Sequence, residues 1–427
     1  MQKIFYNASF KTLNENKDIA EAVLTNDESI VFAGQKDEVL QMKNDETELV
    51  DLKEKFVMPT LFCFNMRVFD NIEKRIKTAK ICKKSSILTQ NDENYEKFDR
   101  FGLYQKEFLK IQDEFLKNGI TTIQELINSK DEFVFWKKIA ESGSLKIDVI
   151  GYIDFLKNKQ IMDDNCRSFR KYKNHFRLGG YHINLDGNIL EKKAWLKKTY
   201  PKEGKYFGYA EFVDEQLSFV IKTALEEKKQ LLVFANGDRA LEQFLRCYEE
   251  NQKENKIEDN YRPMVFGCSF ANKKLLLKMK QFDITPVFEI KKFIENEKTL
   301  KKYFGTLRVK KLLPLKTCKK IGLKFLLDFG GQKIYGLNDL KLFFELKSLF
   351  AKNLNKNFEL CQDAFHLFVK LPAYYTFDFE QKGSLESGKH ADFIVTNKDF
   401  DITAKDINIK VLQVYQNGNL IYKQNKK

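Results

Sequence analysis

Residues able to do chemistry are few in this chain and widely spaced. Four histidines occur in 427 residues, at 175, 182, 366 and 390. His182, in GYHINL, falls at the inward end of a predicted strand, where an imidazole could serve a polar site. With no recognisable histidine partner, a structural role is the stronger reading. Cys63 could be imagined as a nucleophile, but its neighbours Phe62 and Phe64 would raise the thiol pKa, and no His or Asp stands near in sequence to activate it. Seven cysteines, an odd number with no CxxC pair, read as buried thiols in a reducing compartment, not as a disulfide framework or zinc ribbon. Gly383, Gly388 and Lys389 satisfy the GxxxxGK spacing of a phosphate-binding loop. His390 then stands where that motif needs Ser or Thr, and a strand follows where it needs a helix, so nucleotide binding is not expected.

The elements that would position these residues alternate in kind. Short extended segments open the chain (3–7, 20–25 and SIVFAG at 29–34) and close it (391–396, 410–415 and a hairpin through the NGN turn at 417–419). Between them, apolar strands at 55–64, 119–126, 145–153, 180–185, 230–235, 262–267, 283–290 and 323–329 alternate with amphipathic helices, which predicts a parallel (β/α)8 barrel, an α/β fold. The polar stretch 91–99 reads as a solvated loop, and the Lys-rich runs 309–320 and 343–357 as amphipathic barrel helices. Hydrophobic residues at 43% and aromatics at 14% exclude a disordered or collagen-like chain. The net charge of +14 raises a polyanionic partner. Only ten of the 74 basic residues are Arg, however, the side chain a phosphate-reading groove favours, so nucleic acid is not the expected partner. The opening residues lack an apolar signal region, and no run approaches eighteen apolar residues. A cytoplasmic protein without a transmembrane segment is expected.

Several segments, in the right order, resemble one family. KIFYNASFKTLNENKDIAEAV through LVDLKEKFVMPTLF, RLGGYHINLDGNI (177–189), ANGDRALEQFL (235–245) and GSLESGKHADFIV (383–395) resemble metal-dependent amidohydrolases, particularly the YtcJ-like, N-substituted formamide deformylase-like branch. The resemblance implies a barrel over 57–379 and a small composite β-sandwich from 1–56 and 380–427. It also implies hydrolysis of C–N bonds by water activated on one or two divalent metals such as zinc. The family's ligand positions can be followed one by one. Its P-G-x-x-D-x-H-x-H segment becomes Pro59 to Arg67, so Asn65 and Arg67 replace the two histidines. The strand-four position falls on His182, the strand-five histidine on Phe234, the strand-six histidine on Gly267 and the strand-eight aspartate on Gly330, with Asp328 nearby. The stretch from Arg67 to Gly119 also lacks the branch's long insertion.

Phe and Gly offer no donor, and Arg67 would bring a permanent positive charge to the metal's place. No metal or other cofactor is therefore expected. The expected function is a catalytically inactive pseudoenzyme with a scaffolding or protein-interaction role. The alternative is a divergent hydrolase of non-peptide C–N bonds (amide, formamide or cyclic imide). His182, Asp186, Asp238 and Arg239 are the candidates for binding a small ligand, the last three also suiting a role in holding loops.

Overall fold

The computed structural model describes residues 1–16, 18–78, 100–254, 260–328, 366–399 and 409–425. Gly330, the polar stretch 91–99 and the Lys-rich run 343–357 lie outside the described residues, as does the side chain of Asn65.

Both ends of the chain build one seven-stranded sheet. Its strands are β1 (Gln2–Lys11), β2 (Ile19–Asn26), β3 (Ser29–Gly34), β4 (Glu48–Pro59), β13 (Phe393–Thr396), β14 (Val411–Gln416) and β15 (Asn419–Lys423). They stand in the order β15-β14-β13-β4-β1-β2-β3, antiparallel except where β1 runs parallel to β4. Phe5 of β1 lies 5.0 Å from both Phe393 and Tyr415, and those two rings stack at 4.8 Å. On a flat sheet β1 and β14 would be about 14 Å apart, three strand spacings. The ring contacts therefore require the sheet to curl around its own aromatic core, which makes the expected sandwich a single folded-over sheet.

The second sheet is the barrel. Strands β5 (Leu61–Met66), β6 (Ile120–Ile127), β7 (Asp148–Asp154), β8 (Phe176–Asn184), β9 (Gln230–Ala235), β10 (Met264–Gly267), β11 (Thr285–Glu289) and β12 (Leu326–Asp328) pair in sequence order, all parallel. β12 comes back beside β5. Every residue of β6 and β7 is buried, as expected for parallel strands covered on both faces. The predicted strand 55–64 is two strands. At Thr60 the chain leaves the terminal sheet, where the Thr60 N–H donates to the Asp392 carbonyl, and enters the barrel, where Thr121 Oγ1 donates to Thr60 Oγ1 at 2.7 Å. No helix among the described residues is long and apolar enough to cross a membrane.

A buried charge cluster clamps the two sheets together. Lys382, in the segment entering β13, sits between Asp148, the first residue of β7, and Asp392, 2.9 Å away. Its ammonium also donates to Thr122 Oγ1 of β6, and Gln416 of β14 donates to Asp148 at 2.9 Å. His175 holds the other Asp148 oxygen at 2.7 Å. Burial pushes the Asp148 carboxyl up, but the Lys382 charge and the His175 bond outweigh it and hold it at about 2. The bond to Asp148 raises His175 above its ordinary value.

Lys382→Met would leave two carboxylates buried without their cation and should cost about 3–5 kcal/mol in urea unfolding at neutral pH, the usual loss on breaking a buried pair. The signs of the pH dependence differ for the two groups. The Asp148 contribution is complete above its ordinary carboxylate pKa and disappears as pH falls toward about 2. The His175 contribution is complete below its ordinary value and disappears as pH rises through the raised one. Unfolding titrations should therefore show stability declining on both flanks, and in Asp148→Asn both declines should flatten.

Candidate functional site at the strand ends

Parallel pairing sends the C-terminal ends of β5 to β12 to one face of the barrel. His182, near the end of β8, is fully buried there. It stands in register with Asp154 of β7 on one side and Leu232 of β9 on the other. Phe234 meets the imidazole edge-on at 6.4 Å and 89°, and stacks in turn on Phe266 of β10 at 4.8 Å. No well-aligned hydrogen bond reaches either ring nitrogen of His182 among the described residues, and the only polar group acting on the ring at hydrogen-bond range is the Ile127 backbone. Burial pushes the imidazole down to about 4, with Asp154 opposing the shift and Arg67 adding to it. Asp154 is otherwise engaged: its carboxylate accepts from the Lys157 N–H at 3.1 Å and caps the helix Phe155–Asp164.

Arg67 reaches outward: its side chain is 44% exposed and lies 3.8 Å from Asp70, one helical turn on, so the expected cation stands at the edge of the site, from where its charge still acts on His182. The long, permanently charged guanidinium reaches solvent and a carboxylate at the mouth's edge more cheaply than a dry interior. Gly267 closes β10 with φ +94°, and a Cβ there would stand 2.7 Å from the Ala235 carbonyl oxygen. That position cannot carry any side chain, a histidine included, without reshaping the backbone.

Asp186, Asp238 and Arg239 organise the loops above β8 and β9. Asp186 accepts from the backbone N–H groups of Trp195 (2.8 Å), Asn236 (2.8 Å) and Gly237 (2.7 Å). Burial raises its carboxyl to about 6 against those three bonds. Asp238 accepts from the Lys197 N–H at 2.8 Å, and Arg239 packs over Trp195 and Phe207 at 5.5 and 5.1 Å.

Three polar groups at this face, Glu125, Glu289 and Lys292, escaped the sequence reading. Glu125 of β6 is buried and accepts from the N–H groups of Val68 and Phe69, tying the helix Val68–Thr78 to the barrel; burial raises its carboxyl well above the ordinary range. Its signal was the one charge within ITTIQELI. Glu289 ends β11 in register with the buried Asp328 that ends β12. Lys292 bridges Glu289 at 3.1 Å and Asn236 at 3.2 Å. Cys63, its thiol pushed up by burial and by Asp328, lies 3.4 Å from Met66 Sδ.

A zinc centre takes about three protein N, O or S donors. Here the one imidazole at this face meets the Phe234 ring, which is itself backed by Phe266, and the carboxylates Asp154, Glu125 and Asp186 already hold backbone N–H groups. Among the described residues no group of three or more His, Cys, Asp or Glu is placed to hold a metal ion. The described donors do not fit the metal centre that the resemblance implies.

A parallel barrel joined to a sheet built from both chain ends is the architecture of a class of hydrolases, and solved structures bear the likeness out. An uncharacterised metal-dependent hydrolase of Pyrococcus horikoshii OT3 superposes with a TM-score of 0.76 at 17% identity, covering 95% of this chain and 99% of that one. One from Pyrococcus furiosus does so at 0.74 and 16%, covering 94% and 100%. The ochratoxinase of A. niger follows at 0.58 and 14%, covering 99% and 96%. The amidohydrolase family model matches residues 104–422, and the chain belongs to that family. No curated protein sequence matches it.

Two substitutions probe this geometry. Gly267→Ala should destabilise by about 1–3 kcal/mol through the forced φ and the Ala235 contact. His182→Leu removes a buried imidazole that has no side-chain partner and should change the unfolding free energy by no more than about 1 kcal/mol. A loss well beyond that would show that the imidazole holds a partner.

Proposed function

We propose that this amidohydrolase barrel has given up metal-dependent hydrolysis and acts as a pseudoenzyme, a stable body for protein contact. Its barrel unit begins after Pro59, since Val57 to Pro59 still pair with β13 in the composite unit. What supports the reading is the donor set at the strand ends: the Phe234 ring packs against His182, and Gly267, which by the family resemblance takes a histidine's place, offers no donor and has no room for a side chain. Exposed apolar side chains on adjoining helices support a contact role. Leu156 is 62% and Phe219 63% exposed, and the Phe155 ring lies 6.3 Å from that of Phe219.

A second reading rests on His182 itself. An imidazole held neutral by burial, with no side-chain partner and with Asp154 on the neighbouring strand, would serve as base in a hydrolase of amide, formamide or cyclic-imide C–N bonds. A panel of those substrates, assayed with and without added zinc or manganese, separates the two. The pseudoenzyme reading expects no turnover above the metal-only control. Turnover abolished by both His182→Ala and Asp154→Asn would replace it with the hydrolase.

A further inference from the structure

The opposite end of the barrel holds an unusual arrangement of charge. Lys229 directly precedes β9, Arg262 stands two residues before β10 and Lys324 two before β12. Arg170 lies in the segment leading to β8, its N–H donating to the Leu178 carbonyl at 2.9 Å. These four cations alternate with three rings. Lys229 sits 3.6 Å over Phe169; Arg170 lies over Phe169 at 4.9 Å and over Phe377 at 3.3 Å. Arg262 lies over Phe377 at 4.5 Å and over Tyr374 at 3.7 Å, and Lys324 is 5.5 Å from Tyr374. The shared Phe377 ring limits the separation of the two guanidinium carbons to 3.3 plus 4.5 Å, or 7.8 Å.

Little offsets this charge. None of the four makes an ion pair among the described residues, and the buried Nε atoms of Arg170 and Arg262 have no hydrogen-bond partner there. Arg262 does donate to the Tyr374 carbonyl. Arg177, the next cation inward, is already matched by Asp378 at 3.1 Å. Glu227 and Asp163, the carboxylates acting on Lys229, are both occupied by Lys159, at 2.7 and 2.9 Å, and Glu227 also by the Tyr181 hydroxyl at 2.6 Å. Asp283 is the carboxylate acting on Arg262 and Lys324. Burial, with Arg177 and Arg262 adding to it, lowers Arg170 to about 10, and burial lowers Lys229. Cation–π contact compensates each charge in part but leaves the Nε–H groups of Arg170 and Arg262 without an acceptor.

We propose that this N-terminal face of the barrel is a binding site for a multiply charged oxyanion of the phosphate class, held by Arg170, Lys229 and Arg262. Guanidinium forks match tetrahedral oxyanions in pairs of hydrogen bonds. One carboxylate would leave most of the charge uncompensated, whereas a phosphate or diphosphate offsets it. The rings carry cations on their faces, so the site provides charge and hydrogen bonds in place of base stacking. It lies at the opposite end of the barrel strands from His182 and owes nothing to the strand-end chemistry.

Titration calorimetry of the full chain with inorganic pyrophosphate tests the site, with acetate as the singly charged control and glycerol 3-phosphate as the esterified form. One saturable site for pyrophosphate, none for acetate, and a loss of about tenfold or more in Arg170→Met and in Lys229→Gln is the expected result, the scale of one charge-assisted pair. Binding of glycerol 3-phosphate at the same site would extend the ligand to esterified phosphate. If pyrophosphate gives no saturable binding, or both variants bind it as the native chain does, the site is overturned. Should Arg170→Met fail to fold, Lys229→Gln, whose side chain is only partly buried, decides alone: unchanged affinity rejects the proposal.

Discussion

Strands that pair in parallel must all end on the same side, and that constraint organises this molecule. The ladders from β5 to β12 collect Asp154, His182, Phe234, Gly267, Glu289 and Asp328 toward one face. The same ladders collect Lys229, Arg262 and Lys324 at the other. Whatever residue types the sequence supplies at the strand ends therefore become neighbours, whether or not they make a site. At the C-terminal face they make an aromatic packing around one neutral imidazole. At the N-terminal face they make a stack of cations and rings.

Buried charge is handled differently in three places. Lys382 is compensated from both sides by Asp148 and Asp392 and so joins the terminal sheet to the barrel. Asp186 and Glu125 are compensated by backbone N–H groups and fix loops and a helix start. Arg170 and Arg262 are compensated mainly by ring faces, Arg262 with one carbonyl and the nearby Asp283 besides, and neither has an ion pair among the described residues. The first two arrangements satisfy the groups they bury and need no ligand to explain them. The third leaves charged donors unused, which is why it is the place to look for an anion.

Much of the framework was legible from residue pattern. QLLVFA at 230–235 is a continuous apolar run bounded by polar residues, and β9 occupies it fully. Other strands begin later than their apolar runs: β10 starts at Met264 and β11 at Thr285. Arg262 and Asp283 adopt left-handed backbone, with φ of 49° and 50°, and turn the chain just before each strand. Neither is glycine, so nothing in the residue type announced the turn. Thr60 hid for the same reason, since an apolar run on both sides concealed the passage from one sheet to the other. At the site, position along the strand was readable and side-chain destination was not. His182 is where the pattern put it, whereas Arg67 turned outward because Asp70 and solvent lie one turn away. The cation stack is assembled from segments more than 200 residues apart, Arg170 with Phe377, and no local motif encodes it.

The claim on which the functional reading rests is that the strand-end face no longer supplies a metal's donors. Metal content of the protein purified without chelator, followed by zinc titration of the same sample, measures this directly. Substoichiometric metal and only weak zinc binding, unchanged in His182→Ala, is the result this account predicts. One or two equivalents of tightly held zinc, iron or manganese, lost on substitution of His182, would contradict it.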